Sequence, residues 1–420
     1  MKMQSRVIIV IAVVACAVTL ALGIIIGHFA IEKADDTEGQ GDSQKLNAGC
    51  GAKFTAPWKQ YRESYLDNCV KESCMSPSSC NTEDLPRTFL AYHLNGKTVN
   101  IDGKLDDEAW TEIPYSETFM DIRGPDYPTP YFNTRFKVRW DDDRLYVGAL
   151  MDETDFWGTY TVDESQVWRE NAFEVYAVPD GSMHNYKEMQ ISVRNVTWDL
   201  MLKKAYMDKS DICDRTSVAV SSWDSDMHKG THTDGIINDP NGKGSYWSAE
   251  WSFSFARLAQ HTDRPNNKPT PDADEAWFFI FARPEYKFKI VNGQYRKDED
   301  APTEWWSWQP MYAVNLHLPS RFGLVQFKRN MDDKTFHFNK WHIYRALFEV
   351  FEAEHKYKSV NGMFIDDLKK LSVAPKIMSS ECVTITIQSN DTYFRASVKS
   401  NIDPNMQTGN IRPDRYVWFT

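Results

Sequence analysis

Trp168, Glu174, Gln190, Ser192 and Arg194 are the residues of this chain whose types and spacing suit the capture of a ligand. An indole offers a flat apolar face, while carboxylate, amide, hydroxyl and guanidinium groups offer hydrogen-bonding edges. Such a set matches a pyranose ring, which turns C–H faces toward an aromatic and hydroxyls toward planar polar groups. A half-exposed antiparallel sheet has a polar outer face whatever its function, so a purely structural reading of the same residues stands beside the ligand reading.

Strands must position these groups. Phe136, Val138 and Trp140 alternate with Lys137 and Arg139, the period-two pattern of a strand with one buried face. Asp141, Asp142 and Asp143 read as a turn. Leu145, Val147, Ala149 and Met151 resume the alternation and complete a hairpin. A third strand is expected over Ala172–Val178, with Phe173, Val175 and Ala177 inward and Glu174 and Tyr176 outward. A fourth, over 188–194, buries Met189, Ile191 and Val193 and exposes Gln190, Ser192 and Arg194, with Trp168 at the rim of the polar face. Residues 246–255 read as a strand and 276–282 as a central strand, whereas 224–244 and 261–274 read as loops from their Gly, Pro, Asn and Asp content.

At these residues the sequence resembles the family 9 carbohydrate-binding modules, over roughly residues 99–327. The likeness opens on Ile101-Asp102-Gly103-Lys104-Leu105-Asp106-Asp107-Glu108-Ala109-Trp110 and runs through Trp168-Arg169-Glu170-Asn171-Ala172-Phe173-Glu174-Val175 and Thr197-Trp198-Asp199-Leu200. It closes on Trp306-Ser307-Trp308-Gln309-Pro310 and on 319–327. The resemblance implies an antiparallel β-sandwich, immunoglobulin- or jelly-roll-like, that grips a sugar between aromatic side chains. By the same resemblance Trp168 matches a stacking tryptophan and Glu174 a sugar-binding carboxylate. The family's binding arginine falls at Ser192, with Arg194 two residues on. The second stacking tryptophan falls near Leu316, which leaves Trp305 or Trp306 as substitutes.

The rest of the chain sets the context. Residues 7–26 form an uninterrupted apolar stretch long enough for a bilayer-crossing helix, preceded by Lys2 and Arg6 and followed by Glu32, Asp35, Asp36 and Glu38. That asymmetry predicts a single-pass type II protein with an extracellular C-terminal domain; a cleaved signal peptide and secretion are the alternative. The expected organisation is a cytoplasmic tail (1–6), a transmembrane anchor (7–27), an acidic stalk (28–49), a cysteine-rich segment (50–86), the sandwich (87–328) and a small α+β appendage (329–420). In the appendage Trp341, Tyr344, Leu347, Phe348 and Phe351 predict a helix of about five turns. Alternation at Val383, Ile385, Ile387 and at Phe394, Ala396, Val398 predicts short strands. Cys50, Cys69, Cys74 and Cys80 crowd together and read as disulfide-forming, in any of three pairings, which leaves Cys213 and Cys382 to join each other. Asn195 and Asn390 begin glycosylation sequons.

Other chemistries are poorly served. A net charge of −11 and the lack of a basic patch exclude nucleic acid as a partner. No Gly-x-Ser-x-Gly elbow, phosphate loop or His-Glu-x-x-His occurs. His228 and His232 could meet at a metal only if helical, and their surroundings read as loop. Asp141, Asp142 and Asp143 are candidates for calcium, with a solvated turn as the competing reading. Glu170 and Glu174 could supply the two carboxylates of a glycosidase, but the chain reads as non-catalytic, with any enzymatic link being hydrolysis of O-glycosyl compounds by an associated enzyme. The partners expected are a glycan or polysaccharide and, through the N-terminal helix, a membrane. A structural or adhesion ectodomain is the alternative function.

Overall fold

The computed structural model describes residues 80–208, 218–264, 268–373 and 381–420. The apolar segment, the stalk and Cys50, Cys69, Cys74 and Cys213 lie outside the described residues. Among the described residues no helix is long and apolar enough to cross a membrane.

In chain order the strands are β1 (Thr88–His93), β2 (Met120–Asp121), β3 (Thr134–Trp140), β4 (Arg144–Asp152), β5 (Ala172–Val178), β6 (Tyr186–Ser192), β7 (Thr197–Leu202) and β8 (Ala219–Val220). There follow β9 (His228–Thr233), β10 (Tyr246–Ser254), β11 (Ala276–Glu285), β12 (Phe288–Val291), β13 (Gln294–Lys297), β14 (Glu304–Ser307) and β15 (Gly323–Lys328). The last four are β16 (Val383–Ser389), β17 (Phe394–Ser400), β18 (Gly409–Ile411) and β19 (Val417–Phe419). The helices are α1 (Glu108–Thr111), α2 (Phe255–Leu258) and α3 (Trp341–Asn361).

One long sheet runs β8-β7-β6-β5-β11-β15-β1-β3-β4-β10-β9, with β14 on the free part of β11 and β2 on β14. It folds on itself. Phe136 of β3 stacks on Phe281 of β11 at 3.7 Å, and Phe173 of β5 lies 5.9 Å from Trp251 of β10, so the two halves share one core. The inward residues are those that alternation picks out, Phe136, Val138 and Trp140 on β3 and Phe173, Val175 and Ala177 on β5. Trp140 is fully buried and donates its indole N–H to the Ala91 carbonyl at 3.0 Å. The chain is mainly β, and most pairings are antiparallel. The exception is β1, which pairs in parallel with both β15 and β3 and so stitches the halves together.

The outer face of the β5-β6-β7 half is partly covered by a second apolar layer. Tyr176, Leu200, Phe278 and Leu324 pack there with α3 and the four-stranded sheet β16-β17-β18-β19. Phe278 meets Tyr344 at 5.1 Å, and a buried ion pair joins Arg415 to Asp208 at 2.6 Å. The sandwich, α3 and this sheet form one compact unit.

Three expectations need correction. Residues 224–244 are not all loop, because β9 pairs along β10. Gly230, one of the glycines behind that loop reading, lies within β9, where a Cβ would stand 2.9 Å from the Asp102 backbone that crosses over it. The fourth strand is shifted two residues earlier than expected, running from Tyr186 to Ser192. The cysteine pairing also differs: Cys382 is bonded to Cys80, not to Cys213, and Cys80 does not pair within its own cysteine-rich segment. The bridge fastens the start of the described chain to the C-terminal sheet across 302 residues of sequence.

Candidate functional site

Register brings two of the expected residues side by side. Glu174 of β5 lies opposite Gln190 of β6, and Gln190 lies opposite Trp198 of β7. Directly opposed residues on neighbouring strands share a face with Cβ atoms about 4.5–5.5 Å apart, so Glu174, Gln190 and Trp198 form one row. Ser192 pairs with Ala172, two residues before Glu174, and is on the same face.

This face is not the open polar surface that alternation suggested. Glu174 and Gln190 are each 1% exposed, and Ser192 is fully buried beside the Glu170 carboxyl. Glu174 accepts a hydrogen bond from the Tyr176 hydroxyl at 3.1 Å through Oε2, and Gln190 donates to Glu188 Oε1 at 2.7 Å. Their remaining oxygens, Glu174 Oε1 and Gln190 Oε1, and the indole N–H of Trp198 are buried without a hydrogen-bond partner among the described residues. Buried polar atoms are nearly always satisfied, so three in one row need an explanation. Trp251 also buries an indole N–H without a partner, but it stands alone in the apolar core. Burial, and then the neighbouring Glu188 charge, push the Glu174 carboxyl up to about 8.

The aromatic part of the site is built by a turn. Val167–Arg169 is one turn of 3-10 helix whose Val167 is buried with Ala172 and Val196. Trp168 is left half-buried at the edge, with the Arg169 guanidinium 4.6 Å from its ring and its carbonyl accepting from the Tyr286 hydroxyl at 2.7 Å. Tyr160 and Trp198, both half-buried, pack against the same Val167 cluster. Neither was expected as a site residue. Trp198 could have been found from sequence, since it alternates with buried Thr197 and Asp199 and shares the face of Leu200.

The remaining expectations fare unevenly. Arg194 is not on the strand face: the strand has ended, and Arg194 sits in the β6–β7 turn, which Asn195 closes with a left-handed φ of 60°. Its stem passes over Gly158, where a Cβ would come within 2.9 Å, and close to Glu170. Glu170 in turn accepts from the Thr159 amide at 2.6 Å and fixes that loop. Trp306 is 2% exposed and belongs to the inner core, so it cannot be the second platform. Trp305 does lie on the outer side, paired with Pro284, yet it is separated from β5 by the whole of β11. Leu316 is buried in the outer apolar layer.

The metal candidates are occupied by structure. Asp141 Oδ1 accepts from the Asp143 and Arg144 amides at 2.8 and 2.7 Å, and Asp142 pairs with Arg329. His228 and His232 are four residues apart on β9, which separates them by about 13 Å. Among the described residues no three His, Cys, Asp or Glu side chains gather as a metal site. Of the two sequons, Asn195 is half-buried beside Arg194, whereas Asn390 is exposed and caps its own turn through the Tyr393 amide at 2.8 Å.

Residues 101–225 match the family described as carbohydrate family 9 binding domain-like. That stretch supplies β2 to β8, and β9, β10, β11 and β15 complete the same sheet from beyond it. Solved structures to which the chain is similar include a candidate carbohydrate-binding protein from Bacteroides uniformis, 12% identical over 58% of this chain and 100% of that one, with a TM-score of 0.40. A family 9 carbohydrate binding module from Caldicellulosiruptor kristjanssonii in complex with cellotriose is 14% identical over 60% of this chain and 100% of that one, TM-score 0.33. A family 9 carbohydrate binding module from Caldicellulosiruptor kristjanssonii in complex with glucose is 15% identical over 59% of this chain and 98% of that one, TM-score 0.33. No curated protein matches the chain. Residues 101–225 thus carry a carbohydrate family 9 binding-like domain.

Proposed function

We propose that the chain is a non-catalytic carbohydrate-binding module whose sugar contacts the Glu174–Gln190–Trp198 row, with Trp168 at its edge. The observation that carries this reading is the row itself, which holds three buried polar atoms without partners beside a cluster of half-buried aromatics. A sugar hydroxyl both donates and accepts, so it can satisfy an indole N–H and a carboxyl or amide oxygen together. Half of the family's aromatic clamp is absent at Leu316, and Trp198 or Tyr160 takes its place in this reading. The buried Leu316 is also the observation that favours the second reading, a structural ectodomain that kept the fold and lost the sugar.

The chain is proposed to be displayed outside the membrane by its 7–26 segment. The Cys80–Cys382 bond supports an oxidising compartment, and retention of the chain in carbonate-washed membranes tests the anchor. For the ligand, a glycan array probed with the full-length chain is followed by titration of Trp168→Ala and Trp198→Phe. Trp168→Ala should abolish binding while the melting temperature stays close to wild type. An array without hits, or a Trp168→Ala variant that binds as wild type does, sinks the sugar reading.

A further inference from the structure

The opposite face of the sandwich carries a second row. Across β3, β4, β10 and β9 the register aligns Arg135, Leu150, Ser248 and His232, and in the next row Asp152 lies opposite Tyr246. These side chains point away from the shared core, because their neighbours Phe136, Ala149, Met151, Trp247 and Ala249 fill it. The segment 101–110 covers part of this outer face: Glu250 accepts from the Gly103 amide at 2.8 Å and from the Trp110 indole at 2.6 Å. Where that cover stops, an open groove of about 610 Å³ remains, lined by Tyr115, Leu150, Asp152, His232, Tyr246 and Ser248, with Lys104 and Asp106 at its mouth. The volume falls in the range of small-ligand sites, roughly 300–1,000 Å³.

Its chemistry is specific. Tyr115 and Tyr246 are both half-buried, and the His232 ring lies 6.0 Å from Tyr246. Asp152 accepts from the Asn133 amide at 2.7 Å. The Arg135 guanidinium stands 5.0 Å from the Tyr115 ring, and Lys137 stands 4.2 Å from the same ring. Lys137 is engaged with the Trp110 carbonyl, but Arg135 has no hydrogen-bond acceptor and no carboxylate partner among the described residues, and its Nε is buried. A half-buried guanidinium beside the Tyr115 wall of the groove, sharing that ring with Lys137 and lacking a carboxylate partner, is a site for an anion, and its planar fork suits a carboxylate. Two aromatic flanks in an open groove that also holds Asp152, His232 and Ser248 suit a saccharide chain better than a compact apolar molecule. The net charge of −11 disfavours a long polyanion such as nucleic acid.

We propose that this groove is a second saccharide site, which takes a uronic-acid oligosaccharide with a carboxylate at Arg135 and sugar rings against Tyr115 and Tyr246. It lies on the other side of the sandwich from Trp168 and does not depend on the Glu174 row. The test titrates the full-length chain with trigalacturonate and, separately, with neutral cellotriose. Trigalacturonate should bind saturably, weaken as salt is raised, lose at least about tenfold in affinity in Arg135→Gln, lose similarly in Tyr246→Ala, and be unchanged in Trp168→Ala. Cellotriose binding, where present, should respond to Trp168→Ala and not to Arg135→Gln. If Arg135→Gln fails to fold, the Tyr246→Ala variant and the salt dependence of the wild type decide. The proposal is overturned by absence of saturable trigalacturonate binding, by binding that ignores both salt and the groove variants, or by binding that disappears in Trp168→Ala.

Discussion

Two buried polar clusters sit on β5 and β11, and only one of them is internally complete. Arg283 of β11 donates to Glu285 at 3.0 Å, to Glu153 at 3.1 Å, to Thr134 at 3.2 Å and to the Asp152 carbonyl at 2.9 Å. Asn171 closes the set by donating to Glu285 at 2.8 Å and accepting from the Tyr286 amide at 2.7 Å. Glu174 is as buried as Glu285, and burial pushes both carboxyls well above the usual carboxylate range, yet Glu174 has one hydrogen bond and a bare oxygen. Burial and a raised pKa are therefore common to both and do not mark a site. Satisfaction does: a network in which every buried polar atom has a partner is structural, whereas a row with unmet donors and acceptors is suited to something that comes and goes.

The comparison predicts opposite phenotypes. Arg283→Ala should leave Glu153 and Glu285 buried against each other without a cation and cost about 3–5 kcal/mol, seen as a large fall in the denaturant midpoint. Any loss of ligand would follow only from unfolding. Trp198→Phe removes one donor that has no partner, so stability should change by no more than about 1 kcal/mol, while sugar affinity falls roughly tenfold. A Trp198→Phe variant as unstable as Arg283→Ala would place the row among structural networks.

How much of this could be read from sequence depends on the range of the interaction. The β3–β4 hairpin and β5 were legible because period-two alternation is local and Asp141 makes its own turn. β9 was not, because Gly230 reads as a breaker until the crossing backbone at Asp102 is known. Arg194 was misplaced because alternation says nothing about where a strand stops, and it is the left-handed Asn195 that stops this one. Glu174 and Gln190 were placed on the correct face, but their burial depends on packing from distant parts of the chain. The Cys80–Cys382 bond, 302 residues apart, has no local signature at all. Its loss by Cys382→Ser should cost about 2–5 kcal/mol, measurable as a drop in melting temperature that reducing agent reproduces in the wild type.

A last test reads the protonation state of the Glu174 carboxyl. Glu174 has a folded pKa of about 8, against about 4.3 for an unperturbed glutamate. Below the lower value both states are protonated and the group does not oppose folding. Between the two values the unfolded chain releases a proton that the folded chain keeps, so stability falls as pH rises, by at most about 1.4 kcal/mol per pH unit, and levels off above the folded value. Glu174→Gln abolishes that contribution, so the variant should gain stability over the wild type progressively from about pH 5 to about pH 8, the window those two values define. Glu285 is the same residue in both proteins, so the difference between the two denaturation series reads Glu174. At neutral pH the Glu174 carboxyl is mostly protonated, and like an amide it can both donate and accept. Sugar affinity at pH 7 should therefore survive Glu174→Gln within about threefold and be lost in Glu174→Ala. Parallel stability curves for wild type and Glu174→Gln would show that Glu174 is ionised at neutral pH, and would remove the protonated carboxyl that lets this residue donate as well as accept in the row.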